Sequence, residues 1–196
     1  YREYAKASLK PHFFPALTAK LLASLLFTII YRYLYKGGDT FGYYNDARLL
    51  STLFFNSPGT AIQLFFSPSE DFAAYFQDYS ISWNENNFMV VRIAAIFNIF
   101  GANHYIPTSL LFSFFLFFGS WHLFIQFARF FPKLKKEMAW SFLFIPSVVF
   151  WGSGILKDPI CIAALGWLFV SICQLLVFKN LKLRYILIIP TCFYLI

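Results

Sequence analysis

The sequence predicts an all-α protein: a polytopic bundle of transmembrane helices with an outer loop that contains interfacial amphipathic helices. Three observations carry that expectation. Of the residues, 59% are hydrophobic, 23% aromatic and only 13% charged, too little polar surface to coat a water-soluble core. The apolar residues are gathered into long runs, which marks membrane spans. The 16 Lys and Arg are scattered, most of them between those runs, and form no continuous basic face, so the net charge of +7 speaks for membrane topology and against nucleic-acid binding.

Taken in order, the first span is expected over about 13–35 (FFPALTAKLLASLLFTIIYRYLY) and the second over about 106–128 (IPTSLLFSFFLFFGSWHLFIQFA). A third, about 138–152 (MAWSFLFIPSVVFWG), is short and is expected to kink at Pro146, with the freed carbonyl satisfied by a neighbouring helix. The fourth covers about 159–178 (PICIAALGWLFVSICQLLVF), and a fifth begins near Tyr185 and is cut short at residue 196, since crossing about 30 Å of hydrocarbon takes roughly 20 helical residues. The chain is therefore read as one membrane domain, 1–196, and as part of a longer protein. Lys20 and two prolines interrupt its opening and no small-residue cleavage site follows, so the first helix is expected to be retained and not removed as a signal peptide.

Charge orients these spans. With a cytoplasmic N-terminus, ten of the 16 basic residues fall inside: Arg2, Lys6, Lys10, Arg129, Lys133, Lys135, Lys136, Lys179, Lys182 and Arg184. That is the expected positive-inside bias; the expected location is a bacterial inner membrane. Residues 36–87 are the opposite, with six of the nine acids in one stretch: Asp39, Asp46, Glu70, Asp71, Asp78 and Glu85. The outer loop is accordingly assigned to 36–105. Within it, 88–100 (FMVVRIAAIFNIF) contains Arg92 and has thirteen residues before Gly101; making it a span would put the basic cluster 129–136 outside. It is read as an interfacial helix. Tyr43, Ala47, Leu50 and Phe54 share one helical face, with Asp46, Thr52 and Asn56 directed away, so 43–56 is expected to lie flat on the membrane. Phe72, Tyr75, Phe76 and Tyr79 repeat the pattern. Cys161, Cys173 and Cys192 sit in apolar runs, and neither they nor His12, His104 and His122 have metal-ligand spacing. No metal and no cofactor is expected.

An Asp immediately after the first span in GGDTFGYYNDARLL, the short element VVRIAAIFNIFG before the second, and the later FIPSVVFWGSGILKDPI with its Asp at the mouth of a kinked helix together resemble the GT-C membrane glycosyltransferases. That superfamily includes protein mannosyltransferases and aminoarabinose transferases that use polyprenyl-phosphate sugars. The resemblance covers residues 13–178, through short motifs. Many members carry two near-adjacent acids in the first loop, whereas here Thr40 follows Asp39 and the partner acid would be Asp46. The likeness implies transfer of a sugar from a lipid-linked donor to an acceptor on the outer face. It assigns Asp39 as the catalytic base for the acceptor hydroxyl. Asp46, Arg48, Arg92, Lys157 and Asp158 become the substrate-binding candidates, the cations stabilising the departing phosphate. Tyr43, Tyr44 and Trp151 are candidates to stack on a sugar ring, though enrichment of aromatic side chains at any membrane interface accounts for most of them. The implied partners are membrane lipids, the lipid-linked sugar and other membrane subunits, with no nucleic acid.

Plainer readings stand beside these. Gly37 and Gly38 fit a helix C-cap, Asp39 an N-cap for the next helix, and Asp158-Pro159 an N-cap followed by Pro at the first helical position. Lys157 fits a snorkelling lysine. Arg92 is costly in an apolar run unless it reaches headgroups or pairs with Asp39 or Asp46. Two other functions fit the same chain: a non-enzymatic helical subunit of a larger membrane complex, and an oligosaccharide-repeat polymerase. Convergence of Asp39 with the outer cations on one cavity is the feature that separates an enzyme from a subunit.

Overall fold

A computed structural model describes residues 9–76 and 84–195. Every regular element among them is helical. In chain order these are α1 (Lys10–Ile29, continued by a π-turn, Ile30–Leu34), α2 (Asp39–Asn56), α3 (Pro58–Phe66), α4 (Ser69–Tyr75), α5 (Glu85–Phe100), α6 (Tyr105–Phe130), α7 (Lys135–Ala139), α8 (Pro146–Trp151), α9 (Lys157–Leu176) and α10 (Leu183–Leu195). Three helices are long and apolar enough to cross a membrane: Lys10–Leu34, Tyr105–Phe130 and Lys157–Leu176. They coincide with three of the expected spans. The expected span 138–152 is instead broken. α7 runs into a π-turn, Trp140–Phe144, and Ile145 leaves the helical region (φ −59°, ψ 120°) before α8 starts at Pro146. The proline ring excludes the helical conformation from the residue before it. α10 is apolar but short, with Pro190 inside it.

The chain divides into two compact units. One comprises Tyr1–Ala23, Ser113–Ser153 and Asp158–Ile196; the other comprises Ser24–Phe112 and Gly154–Lys157.

In the first unit, Ala16, Phe117, Trp121, Phe124, Ala128, Ala139 and Leu143 form a core, with Phe13 packed on it. Phe13 meets Trp121 edge to face at 5.0 Å. α6 and α9 approach so closely at Gly119 that a Cβ there would meet the Ala163 carbonyl oxygen at 2.6 Å, and a Cβ on Gly166 would run into the backbone of Gly119. Small residues are what allow helix backbones to touch within a lipid phase, where apolar side chains gain little by leaving lipid. Polar groups are paired across helices here too. Lys20 donates its ammonium to the Gly152 carbonyl, a cation set against the carbonyl end of α8 where the helix dipole is negative. Ser113 donates to the Ser153 carbonyl at 2.6 Å, and Gln174 Nε2 to Gln126 Oε1 at 3.3 Å.

The second unit is built on α2 and α5. Tyr43, Ala47 and Leu50 from α2 are buried, as are Val90, Val91, Ala94 and Ala95 from α5, so small side chains let these two helices pack closely. The periodicity of 43–56 was thus a correct helix signal with a different partner for its apolar face: protein covers it. Two consequences depart from expectation. Phe54, on the expected face, is exposed, lying near the end of the helix. Asp46, expected to point away, is only 1% exposed, because it neighbours Ala47 on a helix covered over more than one stripe. Phe72 from α4 is fully buried against Phe88, their rings 5.0 Å apart, a burial that stabilises by about 2–3 kcal/mol. Tyr75 is exposed, and Tyr79 lies outside the described residues. Asn84 caps α5, its side chain accepting from the Asn87 amide at 2.9 Å.

Candidate functional site

The second unit carries an open surface cleft of about 510 Å³, lined by Arg48, Leu49, Thr52, Leu53, Asn56, Phe76 and Asn103. Five of these come from α2 at helical spacing, so positions 48, 52 and 56 form one stripe beside the apolar pair 49 and 53. Phe76 follows α4 and Asn103 sits in the turn between α5 and α6. Among the described residues no carboxylate lines the cleft, and no hydrogen bond or ion pair engages the Arg48 guanidinium.

A chain of buried polar groups builds the Asn103 wall. Ala102 and Asn103 both have left-handed backbone (φ 51° and 58°), a conformation Asn tolerates better than most residues. Gly101 precedes them because α6 runs directly alongside: a Cβ at Gly101 would lie 2.9 Å from the Thr108 amide nitrogen. From α5, the fully buried Asn98 gives one N–H to Ser51 Oγ at 2.8 Å and the other to Asn103 Oδ1 at 2.8 Å. Its own Oδ1 accepts from Thr108 Oγ1 at 2.7 Å. Ser51 Oγ also lies 2.9 Å from Asn103 Oδ1, and the Tyr44 hydroxyl donates to the Asn103 carbonyl at 2.5 Å. Burial raises the Tyr44 phenol above its ordinary pKa of 10.0, and the Arg48 charge partly offsets that. The hydroxyl therefore stays protonated and keeps donating.

Of the residues expected to act together, only Arg48 lines this cleft. Asp39 is the first residue of α2, exposed, after Gly37 and Gly38 with φ of 147° and 114°. Gly38 takes the N-cap position expected of Asp39, and a carboxylate in the first turn favours the helix dipole. Asp46 is buried on α2. Lys157 is half-buried at the start of α9 and Asp158 is exposed one residue on; Lys157 already belongs to the helix, so Asp158 lies in its first turn and not ahead of it. Arg92 makes neither of the pairings expected for it. It is 7% exposed, donates to the Ser67 carbonyl at 2.6 Å and to Glu85 Oε2 at 3.3 Å, and lies over the Phe88 ring at 4.6 Å. Glu85 in turn accepts from the Ser69 amide. That backbone donor is the main cause holding the Glu85 carboxyl below its usual pKa of 4.5; burial opposes it, and the Ser69 hydroxyl and Arg92 add smaller lowering effects. Arg92 and Glu85 thus tie α5 to the α3–α4 turn, a pairing that a spacing of seven residues along one helix allows.

No sequence motif points to Asn103 or to the Asn98–Ser51–Thr108 network, and Thr52 reads only as a residue off the apolar face of α2. The available signal is the GAN turn after an apolar helix, in FNIFGANHY, where a Gly and an Asn mark a chain reversal. No group of three or more His, Cys, Asp or Glu able to hold a metal occurs among the described residues. Comparison with protein-family models, with curated proteins and with solved structures finds no match.

Proposed function

We propose that this chain is part of a membrane glycosyltransferase that takes a sugar from a polyprenyl-phosphate donor at the outer membrane surface, with its N-terminus in the cytoplasm of a bacterial cell. One observation carries the reading: the segment between the first two membrane-length helices holds a cleft lined by an uncommitted Arg48 and polar Thr52, Asn56 and Asn103 next to apolar Leu49, Leu53 and Phe76. A phosphate on a greasy carrier needs that combination, a charged donor for the headgroup and apolar wall for the first carrier units. Asp39 keeps the role of base in this proposal. Its carboxylate is open to solvent at the end of the first span, where an acceptor hydroxyl arrives from water.

A second reading rests on its own observation. Asp39 lies outside the cleft lining, and this separation of the acid from the polar cleft favours a non-enzymatic subunit that binds lipid-linked sugars without transferring them. The two part in a transfer assay. In proteoliposomes holding a radiolabelled polyprenyl-phosphate hexose and an envelope-extract acceptor, the enzyme reading expects label to move to the acceptor. It further expects Asp39→Asn and Arg48→Ala each to cut that transfer at least 100-fold with protein levels intact. Full transfer by Asp39→Asn removes that residue from the chemistry. Absence of transfer by the unmodified protein leaves the subunit reading.

A further inference from the structure

We infer that the Asn103 side-chain amide is a pre-aimed hydrogen-bond donor which, with Arg48, forms a two-donor site for a phosphate oxyanion in the cleft. The inference rests on the reading that the chain handles a lipid-linked phosphate, and it names the group that reads it.

Asn98 is fully buried and has two N–H groups and one carbonyl oxygen to satisfy. In the orientation described, Ser51 Oγ and Asn103 Oδ1 take the two N–H groups, and Thr108 Oγ1 donates to the oxygen. Turning the amide over would make Thr108 Oγ1, whose single proton then serves the His104 carbonyl, the described partner of both N–H groups, a cost the observed orientation avoids. With Asn98 fixed, the atom of Asn103 that faces it must be an acceptor. Asn103 Oδ1 fills that role, receiving Asn98 Nδ2 at 2.8 Å with Ser51 Oγ at 2.9 Å. Asn103 Nδ2 is therefore forced to the other side. There its contact is Thr52 Oγ1 at 3.4 Å, too long to be a strong bond, and both residues line the cleft.

The result is a donor whose direction is set by groups behind it and whose front is unspent. Arg48 brings a permanent positive charge to the same cleft, with no carboxylate among the described lining residues to neutralise it. An amide N–H and a guanidinium fork both seek oxygen acceptors, and together they favour an anionic one. Holding the amide in place before the ligand arrives lowers the ordering cost of binding. The ligand class is a phosphate monoester or diester, supplied either as a lipid headgroup or as free phosphate.

Asn103→Asp tests this cleanly. Aspartate keeps the shape, tolerates the left-handed backbone and still offers an oxygen to Asn98 and Ser51, but it replaces the front-facing N–H with a negative oxygen. With the full chain in phosphatidylcholine nanodiscs, binding of radiolabelled polyprenyl phosphate is compared with binding of the uncharged polyprenol. The unmodified protein is expected to hold the phosphate form at least tenfold more tightly. Asn103→Asp is expected to lose that preference while melting as the unmodified protein does. Arg48→Gln, at an exposed position where substitutions usually change stability little, is expected to lose at least tenfold as well and keeps the test open should Asn103→Asp fail to fold. Displacement of the label by 10 mM inorganic phosphate supports a site that reads the phosphate group alone; resistance to it supports a site that requires the lipid-borne form. Undiminished binding by Asn103→Asp, or equal binding of polyprenol, overturns the inference. Phosphate binding lost in Asn103→Asp together with no sugar transfer by the unmodified protein leaves this site standing and refutes the glycosyltransferase reading alone.

Discussion

Replacing Asn98 by Leu removes the hub of the buried network while keeping the side-chain volume close. Three hydrogen bonds go: two donated by its amide and one accepted by its oxygen. At about 0.5–1.5 kcal/mol net each, the loss spans about 1.5–4.5 kcal/mol. The partners are not all stranded, which sets the value in the lower half. Thr108 Oγ1, whose single proton is shared between Asn98 Oδ1 and the His104 carbonyl at 2.7 Å, turns wholly to the carbonyl, Ser51 Oγ and Asn103 Oδ1 retain each other, and the half-buried Asn103 can recruit water. The expected cost is about 2–3 kcal/mol, which at roughly 2–4 °C per kcal/mol for a chain of this length lowers the melting temperature by about 4–12 °C. Far-ultraviolet circular dichroism of the protein in detergent reads this, the four described tryptophans being Trp121, Trp140, Trp151 and Trp167, all in the other unit. Asn98→Leu and Thr108→Val share one bond, so their combined loss should fall short of the sum by about 1 kcal/mol. An unshifted Asn98→Leu, or strict additivity of the pair, refutes the network as described.

Three further outcomes follow from the packing and charges. Gly101→Ala brings a Cβ against the Thr108 backbone and should cost about 1–3 kcal/mol; combined with Asn98→Leu it should add less than its full cost, read by the same melt. Gly166→Leu forces α6 and α9 apart at Gly119 and should lower extractable, monodisperse protein severalfold in size-exclusion chromatography, whereas Leu at the exposed neighbour Leu165 is already accommodated. Glu85 has a depressed carboxyl pKa, so its contribution to stability is fully present above about 4.5 and is lost as pH falls through its lower folded value. Glu85→Gln should abolish that part of the acid dependence, and parallel pH–melting curves for the two proteins would contradict it.

The helices were the legible part of this chain. Apolar runs the length of a bilayer announced α1, α6 and α9, and Pro146 announced the break between α7 and α8, because chain geometry before a proline is a local matter. The helical spacing around Ala47 was also local and correct. What that periodicity left open was which surface covers the apolar face, and α5 from forty residues away covers it. Asp46 was therefore misjudged: one helix in isolation shows a single stripe, while a helix packed on two sides buries its flank. Arg92 was recognised as needing an acid, but the acid chosen by long-range reasoning was distant when Glu85 stood on the same helix. The cleft itself was legible only in Arg48. Asn98, Asn103, Ser51 and Thr108 are ordinary residues whose meaning comes from meeting across three helices, which spacing along a chain does not encode.

The account turns on a polyprenyl phosphate seating in the cleft formed by α2 and the α5–α6 turn. A photoactivatable polyprenyl phosphate, crosslinked to the protein in nanodiscs and mapped by peptide mass spectrometry, tests that most directly. The account predicts label on the peptides carrying residues 48–56 and 101–104, suppressed by Arg48→Gln. Label confined to the faces of α1, α6 and α9, unchanged by that substitution, would contradict it.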